Sequence, residues 1–398
     1  MQQRKIAHQA WRALEGRTAT RADRGGMKIA LVSPLIESVP PVLYGGTERM
    51  VSNLADELVR QGHDVTLFAS GDSVSAARLV PCCERALRLN PNVRDILPHH
   101  LMMLDEVRRQ ADDFDIIHFH IDLIHFPLLP TLNRPNVTTL HGRLDIPDLK
   151  PFYARYCDAP LVAISNSQRS FLPQGNFVAT IHHGLRKDSL SFNPVAKGGY
   201  FAFLGRISPE KRPDRAIEIA ARTGVPLKIA AKIDRADREY WEEVIRPMVA
   251  NNPNVEYIGE INERQKSEFL GNALALLFPI DWPEPFGIVM IEAMACGTPV
   301  LAFRCGSVPE VIDEGVTGYI VDTVDDAVAV VGDLLRLDRM VVRRRFEERF
   351  TAERMTRAYV ETYRRLVSLS DEPMLIQDTT LIRRASREQI SLTPRGTS

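Results

Sequence analysis

The chain has little cysteine: Cys82, Cys83, Cys157, Cys296 and Cys305 are odd in number, form no C-x2-C pair and make no disulfide framework. A reduced compartment, the cytoplasm, is the expected location. No uninterrupted apolar run nears the roughly 18 residues that suggest a membrane-crossing helix. Lys and Arg (50) nearly balance Asp and Glu (51), for a net charge of -1, so the whole chain has no electrostatic footprint for nucleic acid. The first strand-like segment is not followed by G-x-G-x-x-G, which counts against a nicotinamide oxidoreductase. No Asp-x-Asp sits in a strand-end context, and His118-x-His120 lacks a third ligand at metal spacing, so neither a bridging divalent metal nor another metal site is indicated. The first 26 residues contain no apolar core of a secretory signal.

The sequence does hold short apolar runs alternating with amphipathic helical patterns, the signature of βα repeats and parallel sheets. Strand-like runs are Lys28–Ser33, Val65–Ser70, Ile116–His120, Val137–His141, Leu161–Ser165 and Val178–His182, then Tyr200–Leu204, Leu227–Ala231, Val255–Gly259, Leu274–Pro279 and Pro299–Phe303. Met50, Val51, Leu54, Ala55, Leu58 and Val59 recur at helical spacing before Gly62. A Pro- and Gly-containing segment, 191–199, separates two halves, and 398 residues suffice for two domains. The expected organisation is a first domain over 27–193, a second over 197–350 and a final helix over 351–367. Residues 1–26 read as a disordered leader or a misassigned start, with Met27 the true start, and residues 370–398 as a disordered tail. Ligand belongs in the cleft between two doubly wound sheets.

The richest segment is Glu284-Pro-Phe-Gly-Ile-Val-Met-Ile-Glu292, followed by Ala-Met-Ala-Cys-Gly297. A helix starting near Gly287 presents unpaired N–H donors to an anionic or oxygen-rich ligand, and Gly297 ends it. Glu284 precedes those donors, while Glu292, more than a turn further on, can accept hydrogen bonds from two neighbouring hydroxyls. In Gly205-Arg206-Ile-Ser-Pro-Glu-Lys211, two cations on one loop suit a diphosphate, above all as negative charge builds on a departing nucleotide. Gly45 and Gly46 let backbone approach a ligand closely, and His141 ends a strand-like run and points toward the cleft.

These motifs resemble the E-x7-E signature, the Gly-Arg…Glu-Lys loop and the Gly-Gly-x-Glu loop of the retaining, GT-B fold glycosyltransferases, most closely their family 4, over about residues 27 to 367. The resemblance implies two Rossmann-like domains facing a cleft. It assigns Glu284 to the donor sugar, Glu292 to the ribose and Arg206 with Lys211 to the leaving diphosphate. Phe286, Gly287 and Ile288 belong to the same donor-binding turn. His141 is implied beside the reacting carbon, Gly45 and Gly46 near phosphates and acceptor, and the backbone at Ile258 on the nucleobase. Arg212 departs from the family, which usually has Gly there. A UDP-sugar, UDP-glucose first, is the implied donor, used without metal or other cofactor. A glycan, a lipid-linked molecule or a small metabolite remains open as acceptor, with peripheral contact at the inner membrane face as one setting. Epimerisation or hydrolysis of a nucleotide-sugar, and binding without catalysis, stay as alternatives.

Overall fold

The computed structural model describes residues 26–42 and 45–371. The expectation for a leader lies outside the described residues apart from Gly26, and that for a tail over 370–398 lies outside them except at Ser370 and Asp371, which belong to the last helix instead. Two all-parallel sheets form the framework. The first contains β1 (Lys28–Val32), β2 (Asp64–Ser70), β3 (Arg78–Cys83), β4 (Ile116–Phe119), β5 (Asn136–Thr139), β6 (Leu161–Ala163) and β7 (Phe177–Thr180), in the order β3-β2-β1-β4-β5-β6-β7. The second contains β8 (Phe201–Arg206), β9 (Leu227–Lys232), β10 (Val255–Gly259), β11 (Ala275–Phe278), β12 (Val300–Phe303) and β13 (Gly318–Val321), in the order β10-β9-β8-β11-β12-β13. Helices join the strands, giving two Rossmann-like domains of GT-B architecture.

Central strands are apolar on both faces because helices cover both sides of a parallel sheet. Ile29, Leu31, Val65 and Leu67 bury on the helix Gly46–Arg60 through Val51, Leu54 and Leu58. The strand order reverses between β1 and β4 in the first sheet and between β8 and β11 in the second. Loops after such neighbouring strands diverge and leave a crevice at their carboxyl ends. The Gly45-Gly46 loop follows β1, the Arg206–Lys211 loop follows β8 and the Glu284 turn follows β11, so the topology brings all three to the same mouth.

The chain passes between domains twice. Leu185 N–H donates to Phe350 O (2.9 Å) and Ala352 N–H to Leu185 O (2.8 Å), so the two crossings are hydrogen-bonded together. Gly184 permits this approach, since a Cβ there would lie 2.3 Å from Thr351 O. The last helix, Ala352–Asp371, then returns to the first domain. Its Met355, Tyr359, Tyr363 and Leu366 bury in the cluster that contains Leu31 and Val162. It runs four residues beyond the expected Val367.

Two strands differ from the sequence expectation by being present: β3 and β13, both at sheet edges. β3 carries Pro81, which an edge strand tolerates, and its residues are only partly buried or exposed, while β13 is four residues long. Strand β5 stops at Thr139, so His141 lies two residues past a strand rather than at its last position.

Candidate active site

A cleft of about 750 Å³ lies between the domains. Gly45, Gly46, His141, Arg206, Lys211, Glu284, Phe286, Gly287, Ile288 and Glu292 all line it. Ile258 does not; its side chain packs against the second domain's core, and Glu260 and Ile261 supply the wall at that strand end.

The Glu284 turn is built by backbone geometry. Gly287, at φ 76°, adopts a left-handed conformation that favours glycine and starts the helix Ile288–Ala295, whose first N–H groups open on the cleft. Ser307 N–H donates to Glu284 O (3.0 Å), and Ser307 Oγ donates to Phe286 O (2.8 Å). Gly306 makes this docking sterically feasible, because a Cβ would fall 2.3 Å from Glu284 N and 2.4 Å from Glu284 O. Neither Gly306 nor Ser307 was picked out by sequence. The motif Cys-Gly-Ser after β12 was the only signal, and it points to the turn only once the sheet order is known.

Glu284 is buried and ion-paired with Lys211, whose Nζ also lies 4.8 Å from the centre of the Trp282 ring. Pairing and an aromatic face together hold the ammonium in one place over the turn. Arg206 pairs with Glu210 and stands 3.7 Å from Asp234 and 3.8 Å from Asp237. Lys232 pairs with Asp234 at 2.6 Å and lines the cleft. Arg212 is held by Asp214 and Asp281, each at 2.8 Å, and so belongs to the loop's own scaffold. Its φ of 51° makes it the one described non-glycine residue with positive φ, which explains why a glycine suits this position.

Glu292 is 4% exposed, and Lys266 Nζ donates to its Oε1 at 2.7 Å. Burial pushes this carboxyl up, but Lys266 and Arg49 outweigh it and hold the group below its ordinary value, so Glu292 is ionised. Lys266 also pairs with Glu263 (2.7 Å), and Glu263 with Arg49 (2.5 Å). Arg49 comes from the first domain, so a charge chain spans the cleft behind Glu292. Sequence reading missed Lys266 and Arg49, since nothing in their spacing links them to Glu292.

His141 heads a set of buried imidazoles. Its Nε2 lies 2.9 Å from His120 Nδ1, one nitrogen donating to the other, and its ring stacks on His183 at 5.3 Å. His118 contacts the Tyr363 hydroxyl and Thr139 Oγ1, both at 2.7 Å, tying the set to the last helix. Burial pushes His141 down to about 3, and burial first and neighbouring imidazoles second hold His118, His120 and His183 well below the usual histidine range. All four rings are neutral at physiological pH. His118 uses both ring nitrogens in hydrogen bonds and His120 uses Nδ1, and no group of three or more possible metal ligands occurs among the described residues.

Residues 44–197 match the family described as Glycosyltransferase Family 4, and residues 187–349 match Glycosyl transferases group 1. The D-inositol 3-phosphate glycosyltransferase of Mycolicibacterium smegmatis is 30% identical over 336 residues, covering 70% of this chain and 75% of that protein. The chain belongs to the group 1, family 4 glycosyltransferases. This glycosyltransferase is also 25% identical over 348 residues to the phosphatidyl-myo-inositol mannosyltransferase of Mycobacterium leprae, covering 80% of this chain and 90% of the relative. Among solved structures, AviGT4, a glycosyltransferase involved in avilamycin A biosynthesis, superposes with a TM-score of 0.65 at 25% identity over 86% of this chain and 98% of that one. Anabaena Alr3699/HepE, solved with UDP and glucose, shares the fold with a TM-score of 0.65 at 18% identity, over 85% of this chain and all of that one (100%). No helix among the described residues is long and apolar enough to cross a membrane.

Proposed function

We propose that this glycosyltransferase moves a hexosyl group from a UDP-sugar, with UDP-glucose taken first on the family resemblance, to an acceptor hydroxyl with retention of anomeric configuration and without a metal ion. Assembly of cell-envelope glycans or glycolipids is the setting that the reading favours. One observation carries it: Lys211, Glu284, the open N–H groups after Gly287 and ionised Glu292 lie along a single cleft wall. Read along that wall, Glu292 takes the ribose hydroxyls and the Ile258–Ile261 strand end takes the base. Arg206 and Lys211 take the diphosphate, and Glu284 orients the sugar.

In the chemical step the bond between the anomeric carbon and the phosphate oxygen breaks, and its electron pair goes to the diphosphate. The acceptor oxygen bonds to the same face of the sugar, and its proton passes to the departing phosphate oxygen. Arg206 and Lys211 stabilise charge that is larger in the transition state than in the bound donor, which is the condition for accelerating the reaction. Neutral His141 presents a dipole, without added positive charge, beside the electron-poor carbon. The test is proton NMR of the sugar first released from UDP-glucose in EDTA, before mutarotation. The α anomer is expected; the β anomer, or turnover only after a divalent metal is restored, would contradict the proposal.

A further inference from the structure

We propose that Gln168 and Glu310 act as one unit that positions His141, on the first domain, against the turn at Glu284 and Phe286, on the second. The inference rests on the transferase reading above and adds two positioning residues to it; neither of them lines the cleft. The reaction needs this register because His141 and Glu284 stand on different domains, and a misplacement of about 1 Å at a reacting centre can cost roughly a hundredfold in rate.

On the second domain the unit starts where the Glu284 turn is docked. Ser307 donates to the carbonyls of Glu284 and Phe286, and Glu310 follows it in the short helix Val308–Val311. Glu310 N–H donates to Ser307 O at 2.8 Å and Arg349 Nη2 to Glu310 O at 2.5 Å, so the backbone is fixed here without the Glu310 side chain. The carboxylate reaches across to the first domain instead. It accepts from Asn166 N–H (2.8 Å), Ser167 N–H (2.7 Å) and His182 Nε2 (3.2 Å). Burial pushes this carboxyl up, but His182 and the two N–H groups outweigh it and hold the group below its ordinary value. Glu310 is therefore ionised, and hydrogen bonds to an ionised acceptor are about twice as strong as neutral ones.

On the first domain, Asn166 and Ser167 open the helix Asn166–Ser170, and Gln168 is the next residue. Gln168 is 2% exposed. Its Nε2 donates to Leu140 O (2.9 Å) and Gly142 O (2.8 Å), and its Oε1 accepts from Ile164 N–H (3.0 Å). The two carbonyls flank His141, so the amide clasps the backbone on either side of it. Only a side chain with two donors and an acceptor in one plane makes all three bonds. The His141 ring is held by a separate route: it stacks on His183 at 5.3 Å, and the His183 ring meets Phe286 at 5.0 Å and 71°. Backbone and ring of His141 are thus both referred to one turn, the first through Gln168 and Glu310, the second through His183 and Phe286. An interdomain contact that served stability alone has no need to end on the two carbonyls around His141.

The test is a double-variant cycle on release of UDP from UDP-glucose, with UDP affinity read by calorimetry and each variant assayed at a temperature where it is folded. Gln168→Leu and Glu310→Ala should each lower kcat at least tenfold. The Kd for UDP should stay within about threefold, since the residues assigned to the nucleotide belong to the second domain. The double variant should lose no more than about threefold beyond the worse single variant, because either substitution alone breaks the path. Glu310→Gln, which keeps one acceptor oxygen, should recover part of the rate lost in Glu310→Ala. Should Gln168→Leu fail to fold, the Glu310 series decides alone, by a fall in kcat at unchanged Kd and its partial recovery. An unchanged kcat in a folded single variant, losses that multiply in the double variant, no recovery in Glu310→Gln, or a parallel loss of UDP affinity would overturn the proposal. Wild-type protein that neither binds UDP nor releases it from UDP-glucose would instead bring down the transferase reading, and this inference with it.

Discussion

Lys211 and Glu284 show how one residue pair can be legible in part. Their place at the cleft was readable because both sit in motifs whose spacing fixes a loop and a helix start. Their mutual ion pair was not, since 73 positions separate them. Lys211→Ala should lower kcat/KM about a hundredfold, equivalent to about 3 kcal/mol of transition-state stabilisation, as for loss of one electrostatic donor. Steady-state kinetics checks this, and an unchanged value would remove Lys211 from the chemical step. Glu48 makes a different prediction. Its folded-state value of about 7 exceeds the ordinary value of 4.5, so the folded protein keeps a proton that the unfolded chain has lost. Stability from this group is present at low pH and is lost as pH rises between those values, about 3 kcal/mol in all. Urea melts of Glu48→Gln should match wild type near pH 4.5 and exceed it by up to that amount at pH 8.

Elements position these residues through contacts that are remote in sequence. The Glu284 turn depends on Gly306, which follows the neighbouring strand β12. Gly306→Ala meets backbone at 2.3 Å and a φ of 57°, and should cost about 2 kcal/mol or more while reducing activity beyond the loss of folded protein. A urea melt combined with kinetics at a temperature where the variant is folded separates the two effects. Central strands were legible because burial on both faces writes an apolar run into the sequence. Edge strands β3 and β13 were not, because partial exposure weakens that pattern. The imidazole set illustrates the same limit: His118-x-His120 was visible as a same-face pair, but the partners Thr139 and Tyr363 come from two other elements and His141 from the loop after β5.

At the scale of the whole molecule, the cleft exists because two sheets reverse their strand order between interior strands and because the last helix anchors the second domain's exit in the first domain's core. The architecture of two parallel sheets was legible from the alternation of patterns. The cross-cleft chain from Arg49 through Glu263 and Lys266 to Glu292 was not, because ion pairs between domains leave no periodic trace. Acid should loosen the first domain first. His118, His120, His125, His141 and His183 are all held below the ordinary value of 6.5 by burial. Each contributes stability that is present above about 6.5 and is lost as pH falls toward its folded value, at up to about 1.4 kcal/mol per pH unit. Urea midpoints should therefore drop steeply from pH 6.5 to 5, opposite in sign to the Glu48 effect; a flat profile would contradict the burial of these rings as neutral groups.

The central claim, a nucleotide-sugar site built by Lys211, Glu284 and Glu292 without metal, is tested most directly by thermal shift in EDTA with UDP-, GDP- and ADP-sugars on wild type, Lys211→Ala and Glu292→Ala. Ligand at a hundred times its Kd stabilises the folded state by about 2.7 kcal/mol. One nucleotide-sugar should raise the wild-type melting temperature accordingly, with the shift lost in both variants. No shift with any of them, or an equal shift in the variants, would contradict the account.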